Sequence, residues 1–320
     1  MTRIEVEFSG AEHAVPDTAT LADVRDVVAA AEAHDDRPPV SDQAMVAAAQ
    51  GRRLVARFTA ALEGEELPRP AAVGIVGDGE IDLVVHPDAR GRGIGSAALA
   101  HLLERATMPV KAWSHGVNPA ADALLQRAGF SPVRELLRMT LDPALLPHGD
   151  PVAAPDWLSI TPHTSGSAVE AAAWVAVNAA AFAEHPEQGA MTLDDFAALT
   201  REEWFDAADL LLAFDTRGDG AERPAAFAWV KTVVTPASQT ALGGTECELY
   251  ALGVHPDEAG AGLGRILLDR ALRRMAEHDP DRISLYVDGD NERAVRLYER
   301  TGFTVDQRSR QWVKENGRHE

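Results

Sequence analysis

Two groups of residues in this chain have types and spacing that suit chemistry. The first is Gly260, Gly262 and Gly264, which follow the apolar run Glu248-Leu-Tyr-Ala-Leu-Gly-Val254 and its closing His255-Pro256. They precede Arg265 to Met275, where apolar residues recur at helical spacing. Strand, glycine loop and helix start together leave backbone N–H groups pointing outward, the donor set that holds a phosphate. The second group is polar side chains set in apolar surroundings: Glu248 opening the strand, Lys231 within Phe227 to Val233, and Tyr298 inside a helical segment. Alternation places Glu248 on one face with Tyr250 and opposite Cys247 and Leu249. Each also has a plain structural reading, as a solvated strand-end carboxylate, a snorkelling lysine and a core aromatic.

The glycine pattern occurs twice. Ile81-Asp-Leu-Val-Val-His-Pro-Asp-Ala-Arg-Gly-Arg-Gly-Ile-Gly-Ser96 repeats the strand and loop with Val-His-Pro-Asp in register. Asn118-Pro-Ala-Ala-Asp-Ala-Leu-Leu-Gln-Arg-Ala-Gly-Phe130 is answered by Asn291-Glu-Arg-Ala-Val-Arg-Leu-Tyr-Glu-Arg-Thr-Gly-Phe303. Two matched blocks in one order at nearly one offset mark a tandem duplication. The length of 320 residues agrees, since about 150 residues is an ordinary domain.

Composition narrows the function classes. At 46% hydrophobic residues the chain can fill two cores. A net charge of −20 argues against a nucleic-acid surface, and it means that an anionic ligand needs local cations or N–H groups. Cys247 is the single cysteine, so an intramolecular disulfide is excluded and a reducing, cytoplasmic setting is expected. The N-terminus has no apolar signal core and no run of about 18 apolar residues occurs, so no membrane association is expected. No His/Cys/Asp set has metal spacing, and no metal is expected.

The elements that must position these residues alternate. In the first half helices are expected over Thr18 to Ala33 and from Ser41-Asp42 to Gly51, with an irregular stretch up to Pro16. Strands follow at Arg53 to Leu62 and Ala71 to Val76, then the strand ending at Val85, the glycine loop and its helix. Pro109 to Ser114 and Val133 to Leu141 are strands, around a helix from Asn118 that Gly129 stops. Asp142 to Asp156, with four prolines, reads as a linker. The second half repeats this order and ends on a strand from Phe303 to Val313. The expected fold is α/β (α+β): two tandem domains, 1–145 and 157–320, joined by a linker at 146–156, each a mixed central sheet flanked by helices.

A nucleotide-triphosphatase loop needs Gly-Lys-Ser/Thr, which neither loop has, and a dinucleotide fingerprint needs glycine where Ser96 and Arg265 stand. Arg90-Gly-Arg-Gly-Ile-Gly95, and in weaker form Ala259-Gly-Ala-Gly-Leu-Gly264, match Arg-x-x-Gly-x-Gly. On these loops and the Asn291 to Phe303 block, the chain resembles the GCN5-related N-acetyltransferase (GNAT) superfamily, whose acyl-CoA pyrophosphate loop has this pattern. His185-Pro-Glu-Gln-Gly189, Phe227-Ala-Trp-Val-Lys231 and Leu285-Tyr-Val-Asp288 with Asp290-Asn291 further resemble segments of the mycothiol synthase family of tandem acetyltransferases. Ala259 and Ala261 depart from that family's polar or basic loop residues, and Ala228 stands where histidine is common.

The resemblance implies direct acetyl transfer from acetyl-CoA to the cysteinyl amine of cysteinyl-glucosaminyl-inositol. Glu248 would be the base through a water and Tyr298 the acid. Acetyl-CoA would be held by Leu252, Gly253, Val254, Ala259, Gly260, Ala261, Gly262, Leu263, Gly264 and Arg265, with Asn291, Arg293 and Arg296 beside them. In the first half the matching residues are Leu83, Val84, Val85, Gly91, Arg92, Gly93, Ile94, Gly95 and Ser96. Asp42, Glu187, Lys231, Glu248 and Tyr286 map to acceptor contacts. Counted along the sequence, Gly79 and Leu125 occupy the Glu248 and Tyr298 positions in the first copy, so the first domain is expected to be non-catalytic. A monomer is expected. A tandem acetyltransferase for another small amine and a non-catalytic acyl-CoA-binding module remain the alternatives.

Overall fold

The computed structural model describes residues 4–10, 15–35, 37–61, 68–184, 186–218, 222–235 and 243–316. In chain order the elements are β1 (Ile4–Ser9), α1 (Thr18–Asp35), α2 (Asp42–Ala49), β2 (Leu54–Ala60), β3 (Arg69–Gly77) and β4 (Glu80–Val85). They continue with α3 (Ile94–Leu103), β5 (Val110–Ser114), α4 (Pro119–Arg127) and β6 (Ser131–Leu141). The second half has β7 (Leu158–Pro162), α5 (Ala168–Ala181), α6 (Pro186–Gly189), α7 (Leu193–Leu199), β8 (Leu210–Asp215) and β9 (Arg223–Thr235). It ends with β10 (Gly244–Val254), α8 (Leu263–Glu277), β11 (Arg282–Asp288), α9 (Glu292–Thr301) and β12 (Thr304–Lys314).

The chain forms two compact units, Met1–Leu136 with Gln307–Glu320, and Leu137–Asp306. Residues 307–320, expected in the second domain, therefore belong to the first unit, and 137–156 belong to the second. In the first unit the strand order is β1–β2–β3–β4–β5, with the end of β12 beside β5. The β4–β5 pair is parallel, and Trp312 of β12 lies antiparallel opposite Ala112 of β5. Val24, Val27 and Ala31 of α1 and Ala44 and Ala48 of α2 cover one face of this sheet on Val55, Val73 and Ile75. Ile94, Ala98, Leu99 and Leu102 of α3 cover the other on Phe58, Val76 and Ile81, with Trp312 in the same core.

In the second unit the order is β7–β8–β9–β10–β11–β6, the last represented by Leu137 to Leu141. Trp174, Val177 and Phe196 of α5 and α7 pack on Trp229, Phe227 and Leu212. Leu267, Leu268 and Leu272 of α8 and Tyr298 of α9 pack on Cys247, Leu249, Ile283 and Leu285. Caps fix the helix ends: Ser41 accepts from Ala44 N–H at 3.2 Å, Asn118 from Ala121 at 3.1 Å and Asn291 from Ala294 at 3.1 Å. Gly302 ends α9 at φ +106°, where a side chain would be strained.

Three expectations are corrected. The stretch before Pro16 contains β1, whose Ile4, Val6 and Phe8 pack on the core while acidic residues alternate with them. A further edge strand, β7, precedes α5. The proline-rich segment is not a loose linker. Val152 N–H donates to Asp269 at 3.0 Å, Arg273 donates to the Gly149 and Asp150 carbonyls at 2.7 and 2.9 Å, and Trp157 packs on the α8 core.

Candidate active site

A wedge opens beside β10. This strand pairs in parallel with β11 only from Glu246 to Leu249, opposite Arg282 to Leu285, yet runs on along β9 to Val254. His255 N–H donates to Ala225 on the β9 side at 2.8 Å. Backbone groups alternate along a strand, so Gly253 also faces β9 while Leu252 and Val254 turn theirs toward the wedge. Of Leu252, Gly253 and Val254, two therefore turn their N–H groups to the wedge. Gly253 serves by having no side chain, since a Cβ would stand 2.5 Å from the Phe227 ring and 3.0 Å from Ala181.

The loop after β10 is built for anion contact. Pro256 starts a single 3₁₀ turn, and His255 Nδ1 accepts from Asp257 N–H at 3.2 Å, so the repeated Val-His-Pro-Asp has a structural role. Glu258 is buried and held by Arg217 at 2.6 Å. Gly260 and Gly262 have φ +92° and +81° with open space around them, so the backbone rather than crowding demands glycine. Gly262 caps α8, and the N–H groups of Gly262, Leu263 and Gly264 have no hydrogen-bond partner among the described residues. Together with exposed Arg265 they fit a pyrophosphate. Ala259 and Ala261 direct their N–H groups to Pro256 and Glu258 instead, at 3.0 and 3.2 Å. At the start of α9, Asn291 is engaged as the cap and Arg296 pairs with Glu292 at 2.8 Å, while Arg293 is exposed.

Glu248 lies on the opposite sheet face from Cys247 and Leu249, which sit in the α8 core. Lys231 stands directly across from it on β9 and Ser284 on β11. Tyr286, two residues along β11, is half exposed, and the Lys231 ammonium lies 5.5 Å from the Trp204 ring. Glu248 makes no hydrogen bond or ion pair with the described residues, and its carboxylate is not enclosed. Burial raises its pKa above the ordinary carboxylate value; Lys231 opposes this, Glu246 adds to it, and Arg138 opposes it. Tyr298 is buried at the end of the α8–α9 core, ring against Phe303 at 5.9 Å, and burial pushes its phenol up to about 12. Cys247 is fully buried and its thiol pKa is raised by burial, as suits an inert core residue. The side chains of Asp42 and Glu187 lie outside the described residues.

The acetyltransferase (GNAT) family model matches residues 25–130 and again 176–303. The chain belongs to the GNAT acetyltransferase family. It is an acetyltransferase with two tandem GNAT units. A mycothiol acetyltransferase of Kineococcus radiotolerans is 46% identical over 295 residues, covering 88% of this chain and 90% of that protein. One from Pseudarthrobacter chlorophenolicus is 38% identical over 304 residues, covering 90% of each. Among solved structures, a tandem GNAT protein from the clavulanic acid biosynthesis pathway has a TM-score of 0.67 at 20% identity, covering 99% of this chain and 100% of that one. A GCN5-related N-acetyltransferase from Sphaerobacter thermophilus has a TM-score of 0.66 at 20% identity, covering 97% and 95%. These two likenesses show the shared fold.

The first GNAT unit repeats the wedge. β4 and β5 pair only at Glu80–Lys111 and Ile81–Ala112, and a cavity of about 530 Å³ lies beyond. Leu83, Val84, Val85, Gly91, Gly93, Ile94, Gly95 and Ser96 line it, with exposed Arg92 beside them. His86 N–H donates to Ala71 at 2.9 Å, so Leu83 and Val85 face the wedge and Val84 faces β3. Arg90 does not offer its charge freely, since it holds Asp35 through two bonds of 2.7 and 2.8 Å.

Strand register also corrects the expected counterpart of Glu248. β10 carries a bulge between Leu249 and Ala251, and β4 has none. The extra residue shifts the count by one, so the position across from Lys231 in β10 corresponds to Glu80 across from Gly77, not to Gly79. Glu80 faces Arg53 at 3.6 Å. Leu125, at the Tyr298 position, is a buried core residue.

Proposed function

We propose that the second unit transfers the acetyl group of acetyl-CoA to the cysteinyl amine of cysteinyl-glucosaminyl-inositol. The observation that carries this reading is the Glu248 carboxylate: raised in pKa, without a hydrogen-bond or ion-pair partner among the described residues, and set beside a wedge that exposes the Leu252 and Val254 backbone. The relatives are named mycothiol acetyltransferases, and the family resemblance read from the sequence points to the cysteinyl amine as the acceptor. The Gly260 to Arg265 loop holds the pyrophosphate, and the wedge N–H groups bind the thioester carbonyl as charge develops on its oxygen. An α-amine titrates near pH 7.7–8.0. Glu248 therefore has only to accept one proton, directly or through a water, for the amine to attack. The tetrahedral centre then collapses: the carbon–sulfur bond breaks, the surplus proton on the new amide nitrogen passes through water to the departing thiolate, and CoA leaves as the thiol. Tyr298 keeps its proton, because a phenol is already a weaker acid than a thiol and burial pushes this one up to about 12; it donates a hydrogen bond to the departing sulfur. Lys231 and Tyr286 line the approach of the acceptor.

Catalysis is assigned to the second unit because the first has Leu125 in place of the phenol and an arginine facing Glu80. The first unit's cavity and glycine cradle suit an acyl-CoA. The test is release of CoA thiol from acetyl-CoA with the cysteinyl sugar beside a panel of other small amines. Selective turnover of the cysteinyl sugar, lost at least about 10²-fold in Glu248→Gln, supports the reading. Turnover of a different amine alone overturns the acceptor assignment, and a fully active Glu248→Gln overturns the base.

A further inference from the structure

The face that presents Glu248 carries further polar groups that the transfer chemistry does not use. β6 sends Leu137, Met139 and Leu141 into the α8 core and Arg138 to the other side. The Arg138 guanidinium stands between carboxylates without bonding them: Nη2 is 3.8 Å from Glu246 and Nη1 is 3.7 Å from Asp306. Its Nε is enclosed and has no acceptor among the described residues. Glu246 accepts from the Ser284 hydroxyl at 3.2 Å and lies 3.5 Å from Arg282 Nε. Ser284 is the residue directly beside Glu248 in the parallel register, and half-exposed Tyr286 follows on the same face.

We propose that Arg138, with Glu246 and Tyr286, forms a subsite for the neutral, hydroxylated portion of the acceptor, the buried Ser284 hydroxyl holding the Glu246 carboxylate in place; this rests on the acceptor assigned above. Charge decides the ligand class. Glu246, Glu248 and Asp306 repel an anionic group, and Arg138 and Arg282 repel a cationic one, which leaves a neutral group favoured. Vicinal hydroxyls both donate and accept, and this patch sets arginine donors beside a carboxylate acceptor with the half-exposed Tyr286 hydroxyl, which does either. The planar guanidinium fork spans two neighbouring oxygens, which a lysine cannot do. Contact with Glu248's neighbours along one strand face places the polyol beyond the amine rather than beside acetyl-CoA. Arg138 is therefore a specificity residue and not a catalytic one.

The experiment compares two acceptors, cysteinyl-glucosaminyl-inositol and cysteine amide, on the full chain and on Arg138→Ala and Arg138→Lys. The wild type is expected to show a much lower KM for the full acceptor. Arg138→Ala should raise that KM at least tenfold with kcat within about twofold, and so close most of the gap between the acceptors. Arg138→Lys should recover only part of it. Acetyl-CoA affinity and the melting temperature, measured alongside, report folding, and the lysine variant serves if the alanine variant does not fold. Equal losses on both acceptors, or a fall in kcat at the pH optimum, would overturn the subsite while leaving the proposed reaction standing; removing the Arg138 charge should by itself move the acid limb to higher pH, because that charge lowers the Glu248 pKa. Failure of the wild type to acetylate the cysteinyl sugar would remove the proposed reaction and the subsite together.

Discussion

Trp312→Ala tests whether the last strand completes the first unit. Trp312 is buried in the core of that unit and pairs across from Ala112 of β5. Replacing a buried tryptophan by alanine costs about 3–5 kcal/mol, which is the lost transfer energy plus the cavity left behind. For a unit of this size each kcal/mol moves the midpoint by about 2–4 °C, so its melting transition should fall by roughly 10 °C. Trp312→Phe should cost much less. Most of the ring remains, and the indole Nε1 it removes is enclosed without a partner among the described residues, so no hydrogen bond to them is lost. Amide hydrogen exchange supplies the spatial readout. Protection should drop at Val110 and Ala112 of β5 and at the buried residues of α3, with Ile283 and Leu285 of β11 spared. Loss confined to β11 and α8, or an unchanged melting profile, would refute the placement of residues 307–314 in the first unit.

Two further predictions concern the site. Lys231 holds the Glu248 carboxyl down against the effect of burial. Lys231→Met should therefore lift that pKa and move the acid limb of the kcat/KM profile to higher pH; a shift to lower pH or none would remove the lysine's charge from the account. Because Glu248 must be ionised to accept a proton, activity should rise with pH through this limb, and Glu248→Gln should abolish the limb. Tyr298→Phe should lower kcat about 10²-fold with acetyl-CoA affinity nearly unchanged. A fully active phenylalanine variant would eliminate the phenol as donor to the departing sulfur.

Much of this protein is legible in the sequence. The duplication, both glycine loops, the helix caps at Asn118 and Asn291 and the C′ glycines at Gly129 and Gly302 are local signals, set by φ restrictions and by short-range hydrogen bonds. Alternation alone put Glu248 opposite Cys247, and the structure bears out that alternation. β1 was missed: Ile4, Val6 and Phe8 alternate, but the acidic residues between them give the stretch a polar average that reads as irregular chain. The glycine loop at the start of α8 needed nothing beyond its own few residues.

Tertiary structure decided the rest. Which unit a terminal strand joins depends on the edge it pairs with, and neither Leu137 to Leu141 nor Gln307 to Lys314 carries a label for that edge. The single extra residue in β10 moves the counterpart of Glu248 from Gly79 to Glu80, because register is fixed by pairing with β9 and not by distance along the chain. Arg138 came to the face that presents Glu248 in the same way. Its approach to Glu246 across β11 is a long-range contact, made by stacking three strands side by side, and no periodicity within β6 announces it.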